Sequence, residues 1–294
     1  MVRGRYLAAV LVAIAATSTA GAGIELRDDR GVPVRLAAPA QRIVTLAPHL
    51  AELAFAAGAG ARVLGVARFS DFPREALAIA QIGDASRVDV ERIAALRPDL
   101  VLAWKSGNQA GDLERLERLG RAVFVTEPAR LSDVPRLLRA IGALAATAPA
   151  AERAASAFEQ GMGALRAQYA GARRVRVFYE VWHRPLITVS RAHMISDVIG
   201  LCGGENVFAH ASTLTPTVSL EAVAAVRPEA ILGGSRPGRD EAFTREWREA
   251  PIRALRALPV FYVDPDLIQR QTPRLLEGAR AVCAALEQVR RNRR

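Results

Sequence analysis

The sequence has little of what most enzymes need at a reaction centre. It contains two cysteines and four histidines in 294 residues, and the histidines show neither the i, i+4 spacing nor the C-x-x-C neighbours of a zinc site. The patterns GxxxxGK[ST], GxSxG and HExxH are absent. Lys105 is the single lysine and has no recognisable catalytic partner. We therefore expect a protein without catalysis, without a cofactor and without a metal site.

Basic residues are abundant but are not concentrated in one place. The net charge is +10, yet the arginines are scattered among alanines until the C-terminal RRNRR. Nucleic-acid-binding surfaces combine basic stripes with clustered aromatic residues, and aromatic residues make up only 5% of this chain. We expect an arginine-rich solvated surface and no nucleic-acid partner.

The sequence also lacks an apolar run of the roughly 20 residues that a membrane-spanning helix requires. A shorter run, Leu7 to Ala16, follows Arg3 and Arg5 and precedes small residues with an A-x-A pattern. This order is typical of a signal peptide. We expect residues 1–22 to be removed and the mature protein to reach the periplasm.

The remaining chain alternates between apolar β-branched runs and helical stretches in both halves. RIVTL followed by HLAELAFAAG is one example. This alternation predicts an α/β protein with two Rossmann-like lobes built on parallel sheets. The chain from 137 to 170 reads as helix with one interruption at Pro149, so we predict a first lobe at 23–136, a connecting helix at 137–170 and a second lobe at 171–294.

One fifteen-residue segment occurs twice, with seven identical positions. The copies are VDVERIAALRPDLVL (88–102) and VSLEAVAAVRPEAIL (218–232). Each predicts a helix, an Arg-Pro turn and a buried strand, one copy per lobe, with Asp89 or Ser219 as the N-cap. Glu91 and Glu221 fall in the first turn, where a carboxylate complements the helix dipole. Their symmetric placement leaves room for a second role.

Scarce aromatic residues coincide with the predicted strand ends. Phe69, Phe72, Trp104 and Trp182 all follow or end apolar strands, and α/β sheets bind ligands outside the carboxyl ends of their strands. Each residue alone could equally fill the core. Together they favour a cleft for a large flat ligand, which needs rigid apolar surface.

Several stretches resemble periplasmic substrate-binding proteins that serve importers of cobalamin, haem and ferric siderophores. The stretches are RIVTLAPHLAELAFAAG, FSDFP, VERIAALRPDLVLAWKSGN, LCGGENVF, VSLEAV and DLIQRQTPR. LAWKSGN and LCGGENVF are most similar to the cobalamin branch. The resemblance implies a monomer with two α/β lobes and a rigid helical connection, which carries cobalamin to the permease dimer of an ABC importer.

The resemblance also assigns roles to residues. An oxidising compartment favours pairing of the two cysteines, with two free buried thiols as the alternative, and the resemblance implies the disulfide Cys202–Cys283. It implies that Phe69 contacts the corrin, so that Phe69, Trp104 and Trp182 form the aromatic part of the ligand-binding set. The remainder is a second-lobe loop comprising Asp266, Leu267, Ile268, Gln269 and Arg270.

Two positions depart from the cobalamin branch. Ala85 stands where the known cobalamin binder has a cleft tryptophan, and Leu267-Ile268 replaces an aromatic pair. We expect Trp182 to compensate for part of the lost aromatic surface.

In this family a glutamate on each lobe pairs with arginines of the permease, and Glu91 and Glu221 match those positions. A haem or ferric-siderophore carrier of the same fold is the alternative, with His49, His183 or Tyr179 as candidate ligands. A periplasmic enzyme resembling a nitrogenase-like metallocluster protein is a third interpretation. It would require several cysteine or histidine ligands between the lobes.

Overall fold

The computed structural model describes residues 23–234 and 238–292, so the predicted signal peptide lies outside the described residues. In chain order the strands are β1 (Ile24–Arg27), β2 (Pro33–Leu36), β3 (Ile43–Thr45), β4 (Val63–Val66), β5 (Ala80–Gln81), β6 (Gly83–Asp84), β7 (Arg87–Val88), β8 (Leu100–Trp104), β9 (Val123–Thr126), β10 (Val175–Glu180), β11 (Gly204–Asn206), β12 (Ala230–Gly233) and β13 (Val260–Tyr262). The α-helices are α1 (Pro48–Ala56), α2 (Val90–Ala95), α3 (Ala110–Arg118), α4 (Asp133–Leu144), α5 (Ala148–Tyr169), α6 (Met194–Leu201), α7 (Leu220–Ala225), α8 (Asp240–Arg248), α9 (Arg253–Arg256), α10 (Pro265–Ile268) and α11 (Leu275–Arg291).

Two parallel sheets form the centres of the two lobes. The first has the strand order β5-β4-β3-β8-β9 and the second the order β11-β10-β12-β13, and neighbouring strands in both run parallel. Parallel sheets need cover on both faces. Accordingly, every residue of β9 and β12 is buried. The predicted α/β class with two Rossmann-like lobes is confirmed.

One apolar cluster is continuous between the lobes. It contains Leu102 of the first sheet, Leu232 of the second, and the inward face of α5 at Ala155, Phe158 and Met162. Separate clusters cover the opposite face of each sheet. Because the connecting helix is embedded in a shared core, bending at this connection would open packed apolar surface to water.

The connecting helix is shorter than the sequence predicted. The interval 137–170 is not one helix, because α4 ends at Leu144 and α5 begins at Ala148. Ala146 between them has φ +49°, and Pro149 occupies the first turn of α5, where its missing N–H costs no helical hydrogen bond. A Cβ on Gly142 would collide with Ala151, so α4 packs closely on α5.

Cys202 at the end of α6 and Cys283 in α11 form the predicted disulfide, and both are buried. Closing a loop of 81 positions stabilises the folded state by up to about 4–5 kcal/mol in the chain-entropy description. Within residues 23–234 and 238–292, every helix is too short or too polar to traverse a lipid bilayer.

Candidate ligand-binding site

Phe69 follows β4 and is the most exposed aromatic side chain among the described residues. Its side chain is 68% exposed, and the guanidinium carbon of Arg68 lies 5.9 Å from its ring centroid. Its φ of +68° places it in the left-handed region, which is unusual for a bulky residue and costs about 1–3 kcal/mol. Phe69 therefore combines a strained backbone conformation with a solvent-exposed ring.

Phe72 lies three residues further on and is also exposed, at 43%. The guanidinium of Arg274, which comes from the start of the last helix, lies 4.1 Å from the ring centroid. This cation–π distance places a side chain of the second lobe over an aromatic ring of the first. The FSDFP stretch therefore lies where the two lobes meet.

Trp104 ends β8 but does not project freely. Its ring packs on Gly107, where a Cβ would collide with it, and it meets the His49 ring edge-on at a centroid distance of 5.1 Å. Asn108 fixes the turn, since its Oδ1 accepts from the Trp104 N–H at 2.7 Å and its Nδ2 donates to the Leu46 carbonyl at 3.0 Å. Trp104 is thus partly buried, and its neighbours hold it rigidly at the end of β8.

Trp182 provides the exposed aromatic surface of the second lobe. It follows β10, is 39% exposed, and donates from Nε1 to the Arg184 carbonyl at 3.0 Å. Backbone bonds between Trp182 and Ile187 close the loop. Phe69, Phe72 and Trp182 therefore lie exposed at the carboxyl ends of strands belonging to two different sheets.

The predicted second-lobe loop is only partly available to a ligand. Ile268 is 2% exposed and lies in the core, so its side chain could meet a ligand only after a rearrangement, and the contact stays a prediction. It ends the short helix α10, and its register turns it inward. Gln269 donates to the Gly234 carbonyl at 3.1 Å. Leu267 and Asp266 are half-buried.

Arg270 connects the lobes. Its guanidinium lies 2.9 Å from Glu52 of α1, 2.7 Å from Asp71 and 2.9 Å from Asp266. Arg274 also approaches Glu52 at 3.4 Å. Burial raises the pKa of Glu52, and the hydrogen bond from Arg270 opposes that rise. The predicted ligand contact is therefore occupied, in this structure, by an ion-pair network between the lobes.

Sequence reasoning missed Glu52 and Asp71. A signal for Glu52 was present, because HLAELAF places a glutamate inside an otherwise apolar helix. Charged residues are almost never fully buried unless they are paired. Asp71 belongs to the FSDFP stretch that carries the family resemblance, but the resemblance assigned no role to this aspartate.

The histidine and tyrosine named for the alternative, a haem carrier, are mostly inaccessible. His49 is 4% exposed and Tyr179 is fully buried. Burial lowers the pKa of His49 to about 3, and burial raises the pKa of Tyr179 beyond its ordinary value. His183 is half-buried beside Glu180. Of the three residues, only His183 could reach a ligand without rearrangement.

Glu91 and Glu221 begin equivalent helices on the two lobes, and both are exposed. The predicted N-caps are confirmed, since Asp89 accepts from the Arg92 N–H at 2.9 Å and Ser219 accepts in the same way. The helices thus present both glutamates to solvent at their first turns.

Residues 43–267 match the family model described as periplasmic binding protein. A vitamin B12-binding protein of Vibrio parahaemolyticus is 35% identical over 255 residues, which cover 87% of this chain and 92% of that protein. The crystal structure of the periplasmic vitamin B12 binding protein BtuF of Vibrio cholerae has a TM-score of 0.77 and 33% identity, covering 86% of this chain and 98% of that one.

A second solved structure shows how widely the fold is shared. The periplasmic heme-binding protein RhuT from Roseiflexus sp. RS-1 has a TM-score of 0.73 at 22% identity, covering 85% of this chain and 98% of that one. This likeness concerns the fold alone. The match of the family model over most of the sequence, and the relatives that cover nearly all of the described chain, show that the chain belongs to the periplasmic binding protein family.

Proposed function

We propose that this protein binds cobalamin between its two lobes and delivers it, as a monomer in the periplasm, to the permease dimer of an ABC importer. Cobalamin is the transported ligand, and no cofactor or catalytic step is involved. The observation that carries the proposal is the exposure of aromatic rings at the strand ends of both lobes, in a chain whose vitamin B12-binding relative is 35% identical over almost its full length.

The cleft chemistry suits a large ligand with an apolar face. Phe69 and Phe72 from the first lobe and Trp182 from the second offer rigid rings, which give large contact area at low entropic cost. Trp104 adds a ring that His49 and Gly107 hold at the end of β8. Exposed rings on both lobes suit a ligand that is bound between them.

A haem or ferric-siderophore carrier of the same fold is less well supported. The heme-binding neighbour shares the fold at 22% identity, whereas the vitamin B12-binding relative reaches 35%. The candidate iron ligands His49 and Tyr179 are buried. The enzyme interpretation needs several cysteine or histidine ligands between the lobes, and the two cysteines are joined in a disulfide.

Delivery to the permease rests on Glu91 and Glu221. Both are exposed at the first turn of equivalent helices, and opposite charges across an interface govern encounter and orientation. One acidic contact on each lobe suits a permease with two equivalent halves.

Calorimetric titration of the purified protein with cyanocobalamin and, separately, with haemin tests the ligand. We expect saturable binding of one cyanocobalamin per chain and weaker or no binding of haemin. Tighter binding of haemin, or no heat with cyanocobalamin while the protein is folded by circular dichroism, would contradict the proposal.

A further inference from the structure

Three side chains with metal-binding atoms converge beside the exposed tryptophan of the second lobe. Glu180 ends β10, His183 lies three residues later, and Glu246 comes from α8. One ligand atom from each lies within 4.8 Å of the other two. His183 Nδ1 is 3.3 Å from Glu180 Oε1 and 3.7 Å from Glu246 Oε2.

Glu180 is an unusual residue to find at the end of a buried strand. Its side chain is fully buried, and its Oε2 accepts a hydrogen bond from Trp247 Nε1 at 2.6 Å. Its Oε1 accepts no hydrogen bond. Leaving a buried carboxylate oxygen without a hydrogen bond is costly, so this oxygen favours a cationic partner.

The neighbouring arginine side chains do not pair with these carboxylates. Within the described part of the chain, no lysine or arginine nitrogen lies within 4.0 Å of a carboxylate oxygen of Glu180 or Glu246. Arg184 and Arg239 line the adjacent cavity without forming such a pair. Among the described residues, His183 is the one basic side chain in contact with both carboxylates.

We propose that Glu180, His183 and Glu246 form a binding site for a divalent transition-metal ion of the zinc class. Zinc binds imidazole nitrogen and carboxylate oxygen at about 2.0–2.2 Å in tetrahedral geometry, which requires ligand atoms roughly 3.4 Å apart. The two His183 distances, 3.3 and 3.7 Å, lie on either side of that value.

The three protein ligands leave the fourth position of a tetrahedron open. The site borders a cavity of about 330 Å³ that is also lined by Trp182 and Arg184, so water or an oxygen donor from that cavity would complete the coordination. A bound ion would fix His183 and with it the loop that carries Trp182. The metal would thus order the aromatic surface of the second lobe.

Zinc titration of tag-free protein tests the site, and no cobalamin is present, so the result is independent of the proposed ligand. The chain has no free cysteine among its described residues, so thiolates cannot account for binding. We expect one zinc ion per chain. His183→Gln and Glu246→Gln should each weaken zinc binding about tenfold or more, since each removes a direct ligand.

Two matched variants control for histidine and glutamate substitution elsewhere. His210→Gln and Glu249→Gln change exposed residues and should leave the zinc affinity unchanged. Glu180→Gln should also weaken zinc binding. If that variant fails to fold because Glu180 is buried, the zinc affinities of His183→Gln and Glu246→Gln still test the site. Co²⁺ should bind with the visible absorption of a tetrahedral ion in the parent and lose it in His183→Gln. Absent zinc binding, or binding that is equal in parent and His183→Gln, would show that His183 only balances the charge of Glu180.

Discussion

The repeated segment folds in the same way in both lobes, down to its hydrogen bonds. Asp89 and Ser219 each accept from a backbone N–H three residues further on, at 2.9 and 3.2 Å. Arg97 and Arg227 end the two helices with φ values of +46° and +47°. Most of the repeated residues therefore have the same structural role in each lobe.

An arginine at the neighbouring strand of the sheet completes the unit in each lobe: Arg42 lies just before β3 and Arg176 lies in β10. The N–H groups of Arg42 and Arg176 donate at 2.9 Å to Asp99 and Glu229, respectively. Their guanidinium groups each donate at 2.6 Å to a carbonyl at the end of the repeated helix. The acidic residue after the Arg-Pro turn thus anchors the neighbouring strand.

The repeated glutamates differ from this pattern. Glu91 lies 3.4 Å from Arg115, with its side chain 85% exposed. In Glu221 the hydrogen bond from its own backbone N–H and that from Ser219 lower the pKa. These are dissimilar surroundings, whereas the caps, turns and strands around them coincide. The helix dipole favours a carboxylate at either position, whereas the side-chain contacts of the two glutamates differ. The proposed recognition of a permease by both lobes would account for a glutamate at both positions.

The largest effect is expected when the charge of both repeated glutamates is reversed. Glu91→Arg combined with Glu221→Arg should abolish cobalamin uptake, because like charges would then face the permease, while cobalamin affinity stays within about a factor of two. Uptake by cells and calorimetric binding are measured on the same variant. Glu25→Arg with Glu249→Arg makes an equal charge change at exposed positions and should leave uptake intact. Normal uptake by the first variant would refute the docking role.

The link between the lobes supplies a second test. Arg270→Met leaves the more distant Arg274 as the described cation beside the buried Glu52, so the free energy of unfolding should fall by about 3 kcal/mol, the lower end of the range for breaking a buried pair. Urea denaturation measures the change. Arg35→Met breaks an exposed pair and should cost less than about 1 kcal/mol. Equal effects of the two substitutions would show that the interlobe network adds no stability.

The aromatic rings of the two lobes can be compared directly. Phe69→Ala and Trp182→Ala should each weaken cobalamin binding by about 1–3 kcal/mol, because each removes a large contact surface. Leu119→Ala removes an exposed apolar side chain at the end of α3 and should not alter affinity. Loss of affinity in only one of the aromatic variants would confine the ligand to one lobe.

The smallest expected effect concerns acid. His193 caps α6 by accepting from the Ile195 N–H at 3.2 Å, and burial lowers the pKa of His193 from 6.5 to about 4. The unfolded chain therefore takes up this proton first as the pH falls. The contribution of neutral His193 to the free energy of unfolding is fully present above pH 6.5. It is lost as the pH falls from 6.5 to about 4.

His193→Asn retains a capping oxygen but does not titrate. Between pH 7 and 5 the parent should lose roughly 1–2 kcal/mol more unfolding free energy than this variant. Urea denaturation at the two pH values gives the difference. An identical pH dependence in both proteins would mean that His193 is not held neutral.

Local patterns allowed much of this structure to be predicted. Apolar runs predicted the strands of the two sheets, and the repeat predicted both copies of the helix-turn-strand unit. Asp89 and Ser219 were identified as N-caps from their position alone. These features depend on residues close in sequence. The disulfide between Cys202 and Cys283 was predicted because an oxidising compartment favours pairing of the two cysteines, and the family resemblance implied the same pair.

Features that depend on distant contacts were not predicted. The antiparallel pair β1 and β2 involves residues without a strong strand signal. The predicted interruption at Pro149 was placed too late, since the chain turns at Ala146 and α4 packs back on α5 at Gly142. The inward register of Ile268 and the burial of Glu52 beneath Arg270 depend on how the lobes meet. Spacing patterns in the sequence do not indicate which residues of the two lobes come into contact.

A crystal structure of the protein with cyanocobalamin tests the central claim most directly. The account predicts that the corrin lies between the lobes, with Phe69 of the first lobe and Trp182 of the second each within about 4 Å of the ligand. Cobalamin bound to one lobe alone, or at a surface that includes neither aromatic ring, would contradict the account.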